Sequence, residues 1–256
     1  MSTQFSDDSN NQNDFSDKRI GVYSYFAIRC GINFEVGYSR EQIINWLGFK
    51  RNRNINGIDK QIDGIIKQLE TDKYLNCDTE IHHNKFSKVT LDKYKLYPDN
   101  QFALINSDEL YKIIDFKNYI SKTDRMTSSI LLLVLSYIKL NLSNRAENQS
   151  IKDKPEMACG FLKYIAKEIS LSDRKMENAV KMLNQLDIIY SEELPRYKND
   201  EGEWRSNRTI FVNKYKYKNG NKVKDYNYKE ELEYGKKFIV NGFKSENEII
   251  KQKRNK

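Results

Sequence analysis

A single offset of 114 residues lays one amphipathic stretch of this 256-residue chain on another. It carries Ile62, Ile66, Leu69, Tyr74 and Leu75 onto Met176, Val180, Leu183, Ile188 and Ile189, and all ten positions are apolar or aromatic. The match runs without a gap from helical spacing into a strand-like run, which chance apolar pairing rarely does. The chain therefore reads as two copies of one architecture, each of roughly 100 residues. Hydrophobic residues make up 38% of it, against roughly 45–50% in an average globular chain. That is enough for two small cores but not for one deep, enzyme-sized core.

In the first copy, Arg19 to Arg29 sets Ile20, Tyr23, Phe26 and Ala27 on one helical stripe. Ser39-Arg-Glu-Gln42 is a capping-box pattern, opening a helix that buries Ile43, Ile44 and Leu47 and stops at Gly48. A basic turn with Lys50, Arg51 and Arg53 leads into a third helix whose stripe is Ile58, Ile62, Ile65, Ile66 and Leu69. Tyr74 to Cys77 and Phe86 to Leu91 then read as two strands joined by a loop. In the second copy the spacing predicts helices over Thr127 to Leu140, Glu156 to Ile169 and Ser172 to Leu186, the last burying Met176, Ala179, Val180 and Leu183. A strand at Ile188 to Tyr190, a long polar loop from Glu192 to Asn207 and a return strand at Thr209 to Val212 follow.

Three helices followed by a two-stranded hairpin is the winged helix-turn-helix layout. The expected fold class is α+β, mainly helical, with tandem winged helix-turn-helix domains and a basic C-terminal tail. The boundaries are a disordered acidic tail at 1–17, domain 1 at 18–100, a connector at 101–125, domain 2 at 126–215 and the tail at 216–256. Residues 1–17 hold four acids and no base; nothing there can offset the entropy of ordering.

Charge points to the partner. Lys and Arg number 44 against 36 Asp and Glu, a formal +8, which favours a polyanion. From Arg205 onward fifteen bases face six acids, so the end of the chain alone carries +9, with Tyr215, Tyr217, Tyr226 and Tyr228 interleaved among lysines. In a winged helix the third helix packs by its apolar stripe, so its opposite face is free for the major groove. Bases are read there through Arg, Asn, Gln and Lys. In domain 2 that face is Arg174, Asn178, Lys181 and Gln185, beside Lys175, with Ser172 at the helix N-terminus, where a side-chain hydroxyl and free amides suit a phosphate. Arg196, Lys198, Arg205 and Arg208, with Tyr197 and Trp204, supply the wing. In domain 1 the corresponding set is Lys60, Gln61, Lys67 and Gln68, with Lys50, Arg51 and Arg53 just before it.

The run GVYSYFAIRCG…YSREQIINWLGF…IDGIIKQLETDKYL resembles the N-terminal winged-helix domains of replication initiators and replisome organisers from plasmids and phages of low-GC Gram-positive bacteria. FLKYIAKEISLSDRKMENAVKMLNQLDII is similar to winged-helix repressors as well. The resemblance covers roughly residues 20–91 and 126–213; the segment beyond reads as a basic tail, without a recognisable helicase-loader pattern. It implies double-stranded DNA as partner, a role in replication initiation and contact with host replication proteins. A transcriptional regulator of the same fold is the alternative, as is a protein-interaction module whose basic tail alone touches nucleic acid.

Enzymatic readings find little footing. His82 and His83 are adjacent, and neighbours on a strand point to opposite sides, so they do not share a metal. The eleven glycines are scattered and form no phosphate-cradling loop. No enzyme activity, cofactor or metal is expected. Cys30, Cys77 and Cys159 read as reduced thiols of a cytoplasmic protein. The most apolar stretch, Ile130 to Leu140, is interrupted by Ser136 and Lys139 and is about half the roughly 20 residues a bilayer helix needs, so no membrane partner is expected. The N-terminus has no basic and apolar leader pattern. The Thr127 to Leu140 helix is expected to bury its stripe between the two domains or between two copies of the chain, as in a homodimer.

Overall fold

Ser39 starts a helix because its hydroxyl accepts the amide of Gln42 while the Gln42 side chain accepts the Ser39 amide, at 3.3 and 3.0 Å. The computed structural model describes residues 17–48, 57–77, 87–96, 104–116, 126–194, 197–198, 204–205 and 208–239. The acidic stretch 1–16, Lys50, Arg51, Arg53, His82, His83, Arg196 and residues 240–256 lie outside the described residues. The fold is α+β, about half helical, with small antiparallel sheets, and divides into two units, Met1–Leu140 and Asn141–Lys256.

Unit 1 runs α1 (Asp17–Arg29), β1 (Glu35–Tyr38), α2 (Arg40–Trp46), α3 (Ile58–Thr71), β2 (Leu75–Cys77), β3 (Ser87–Leu91), α4 (Lys93–Leu96), α5 (Ser107–Asp115) and α6 (Ser128–Leu140). The returning strand β3 is central, in the order β1-β3-β2. Ile62, Ile66 and Leu69 of α3 are buried with Ile43, Ile44 and Leu47, in a core that also holds Tyr25, Phe26, Val89 and Leu91. Each such side chain contributes about 1.5–3 kcal/mol on burial.

Helix α6 corrects the domain boundary drawn from sequence, which opened domain 2 with it. It packs on α1 and α5 within unit 1. The α1–α6 approach requires Gly21: a methyl there would lie 2.6 Å from Leu47 Cδ2 and 2.8 Å from Ser129 Oγ. Lys139 at the end of α6 pairs with Glu109 of α5 at 2.6 Å, with only 6% and 2% of their side chains exposed.

Unit 2 runs β4 (Ala158–Gly160), α7 (Leu162–Glu168), α8 (Asp173–Gln185), β5 (Ile189–Glu193), β6 (Tyr197–Lys198), β7 (Trp204–Arg205), β8 (Thr209–Asn213), β9 (Tyr217–Lys218) and β10 (Asn221–Lys222). A last helix, α9, spans 228–239. Two sequence assignments change here. Glu156 to Ile169 is not one helix: its first part is strand β4, held by pairing Ala158 with Phe211 and Cys159 with Ile210 across the sequence. The polar loop after Glu192 contains a further ladder, Tyr197 opposite Arg205 and Lys198 opposite Trp204.

The two units repeat each other strand for strand. Sheet order β4-β8-β5 reproduces β1-β3-β2. Val36 faces Val89 as Ala158 faces Phe211, both shifted by 122 residues. Asn76 faces Thr90 as Tyr190 faces Val212, with shifts of 114 and 122. Helices α3 and α8 end identically, in Lys73 (φ 59°) and Asp187 (φ 56°). Tyr74 N–H closes on Leu69 O at 2.8 Å, and Ile188 N–H on Leu183 O at 3.1 Å. A left-handed lysine is strained where glycine would not be. Lys73→Gly is therefore expected to raise unit 1 stability by about 0.5–1 kcal/mol, read as a higher denaturant midpoint with an unchanged slope.

The units differ on the sheet face away from the paired helices. In unit 1 it carries Glu35, Asn76, Lys88 and Thr90; the equivalent positions in unit 2 are Met157, Tyr190, Ile210 and Val212. Helix α9 covers the apolar version, with Leu232 and Ile239 buried against Ile210, Val212 and Leu194. Up to residue 239 the expected basic tail is thus part of the fold. Its stripe, Tyr228, Leu232, Gly235 and Ile239, keeps the i, i+4, i+7, i+11 spacing inside a lysine- and glutamate-rich run.

Candidate nucleic-acid interface

The candidate face is built on α7 and α8. Helix α7 is followed by its C-cap Ile169, Ser170 turns the chain in the left-handed region (φ 55°), and Leu171 N–H closes on Ala166 O at 2.8 Å. Ser172 opens α8, its Oγ accepting the Lys175 amide at 3.4 Å. The sequence reading offered this hydroxyl to a phosphate; in the structure its lone pair caps the helix and its O–H remains a donor. The turn is short, and α7 packs directly on α8.

Met176, Ala179, Val180 and Leu183 are all buried, so the rotation of α8 is fixed. The opposite side bears Arg174, Lys181 and Gln185, exposed, and Asn178, half-buried. At about 100° per residue these four fall within an arc of about 60°. Lys175 lies on one flank of the band and Glu177 on the other, both exposed. Neither Lys175 nor Lys181 has an acidic partner among the described residues. The β5–β8 hairpin stands next to this face, and Asn184 fixes the junction. Its side chain donates to Val180 O and Ser191 Oγ, each at 2.8 Å, and accepts the Ser191 amide at 2.9 Å. The sequence reading missed Asn184, although it lies one residue before Gln185 on the predicted helix.

The residues expected to form a wing divide. Lys198 and Arg205 lie on the β6–β7 ladder, whose backbone is described. Arg208, half-buried, sits at the start of β8 with its guanidinium 5.2 Å from the Phe161 ring centroid, so it packs the sheet against the entry to α7. The segment after β8 is also less available than its formal charge suggests. Lys214 pairs with Asp187 at 3.0 Å, Lys216 with Glu156 at 2.9 Å and Lys236 with Glu192 at 2.7 Å. Exposed Lys163, Tyr164 and Lys167 on α7 are additions that sequence periodicity alone did not single out.

In unit 1 the equivalent face belongs to α3. Lys60, Gln61 and Lys67 are exposed and Gln68 is half-buried. Gln61 accepts from Lys18 Nζ at 2.6 Å. Arg40 of α2 grips Asp63 of α3 through both carboxylate oxygens, Nε to Oδ1 at 2.9 Å and Nη2 to Oδ2 at 2.5 Å, locking the two helices. The offset of 114 places Lys60, Gly64, Lys67 and Thr71 where α8 has Arg174, Asn178, Lys181 and Gln185.

Among the described residues, no group of His, Cys, Asp and Glu side chains could hold a metal ion, and no helix is long and apolar enough to cross a membrane. Neither a protein-family model nor a curated protein matches the chain.

Proposed function

We propose that this protein binds double-stranded DNA without catalysing a reaction, through two winged-helix modules, with α8 as the helix that enters the major groove. One observation carries the reading: α8 presents Arg174, Asn178, Lys181 and Gln185 outward, opposite a completely buried stripe. These side chains are the ones that pair with base edges. The element order supports the winged-helix assignment, since each unit runs strand, helix, helix, strand and central return strand. Two modules on one chain make the second engagement intramolecular, which raises overall affinity without a new contact. The resemblance to plasmid and phage initiators supports replication initiation as the setting.

The test is selection from a random duplex pool by the full chain at near-physiological salt. A common sequence motif should emerge, and its affinity should fall steeply with salt, by about 10³–10⁵ between 50 and 200 mM if six to ten phosphates are engaged. Recovery of unenriched sequence, or binding indifferent to salt, contradicts the proposal. A motif recovered from an origin rather than from the gene's own promoter assigns replication over transcriptional control.

A further inference from the structure

We infer that the α3 face of unit 1 seats against the sugar–phosphate backbone of duplex DNA, with Gly64 as the point of closest approach. The inference rests on the DNA-binding reading of α8 and adds a second, chemically different contact to it.

Gly64 is otherwise unexplained. It lies inside the 14-residue helix α3, exposed, opposite the buried Ile62, Ile66 and Leu69. Glycine is the poorest helix former after proline, so its presence weakens α3. Its φ is ordinary for a helix, so the backbone does not require it. Crowding does not require it either: a Cβ built there meets nothing within 4 Å. This is the opposite of Gly21, where the same methyl would strike Leu47 and Ser129. A helix notch that serves nothing within the described residues suits a surface that comes from outside.

The flanks say what kind of surface. Lys60 and Lys67, at i−4 and i+3 from Gly64, stand on the same side of the helix and are exposed. Neither has an ion-pair partner among the described residues. The nearest carboxylate on the helix, Asp63, is already held by Arg40. Two ammonium groups across a notch fit an anionic ridge. They are point charges, which hold phosphates without the planar fork that Arg174 brings to the equivalent position on α8. At the position equivalent to Gly64, α8 has Asn178, a side chain able to pair with adenine. The two units are therefore unequal: α8 discriminates sequence, and α3 grips the backbone whatever the sequence is.

Gly64→Ala is the deciding variant, because it can only strengthen the helix. The full chain carrying it should melt at a higher temperature than wild type. It should nevertheless bind a mixed-sequence duplex about tenfold more weakly, as one added methyl in a filled contact implies. Lys60→Gln with Lys67→Gln should weaken binding equally on selected and mixed sequences and lower the salt slope by about 1.8, at about 0.9 per phosphate contact. Wild-type affinity for Gly64→Ala overturns the inference. So does an effect confined to self-association, which assigns the notch to a protein contact. Arg174→Ala with Asn178→Ala is run in parallel. If that variant loses binding and Gly64→Ala does not, the α8 reading stands and only the α3 contact fails.

Discussion

Replacing Glu231 with alanine is expected to destabilise unit 2 by about 3–5 kcal/mol, the range for removing one member of a buried ion pair. The Glu231 side chain is fully buried and Arg145 is 10% exposed. The guanidinium donates to both carboxylate oxygens, at 3.0 and 2.8 Å, and the Glu156 amide donates to the same group at 2.8 Å. Alanine would strand a desolvated cation and a backbone N–H together. This carboxylate raises the Arg145 pKa through its hydrogen bond, and burial, with Glu231 and Glu156 adding to it, pushes the Tyr226 phenol well above its ordinary range. The pair also fastens α9 to the segment before β4, and α9 covers Ile210 and Val212. Urea titration of unit 2 fluorescence reads the loss. Glu231→Gln, which keeps an acceptor but not the charge, should fall between; a change below about 1 kcal/mol for alanine would mean that the pair is solvated.

The second large effect is on binding. Arg174→Ala, Asn178→Ala and Lys181→Ala combined should weaken specific duplex binding by several kcal/mol, given about 1–3 kcal/mol per good base contact. In affinity that is roughly a thousandfold or more. The fold should not respond, because these side chains are off the buried stripe and such surface changes stay within about 0.5 kcal/mol. Arg174→Lys separates two contributions: it keeps the charge but removes the planar fork, so sequence preference should relax more than affinity falls. Anisotropy titration at fixed salt, with denaturation as the control, measures both. Retention of full affinity by the triple variant would leave α8 as a solvated face.

The buried stripes of α3 and α8 were legible because amphipathic period survives any packing partner. All of Met176, Ala179, Val180 and Leu183 are buried as the spacing implied, and the capping box at Ser39 is present. Short edge strands were not legible. β1 and β4 have four and three residues and exist because β3 and β8 offer them a ladder, a non-local cause. Helix α6 is buried on nearly every side, ten of its thirteen residues; such an apolar run announces burial but not against what. Helix α9 hid its stripe among charges, and nothing local marks its Glu231 as the fully buried partner of Arg145. The outward residues of α8 were legible as a face. Arg208 was not, because nothing local shows that Phe161 would come beneath it.

The decisive measurement replaces Lys181 with a benzophenone amino acid in the full chain and irradiates its complex with the selected duplex. Insertion of α8 predicts covalent attachment to base atoms on the major-groove edge within the enriched motif, lost when unlabelled motif competes. Attachment to scattered sugar positions along the duplex, or no attachment despite tight binding, would place α8 outside the groove.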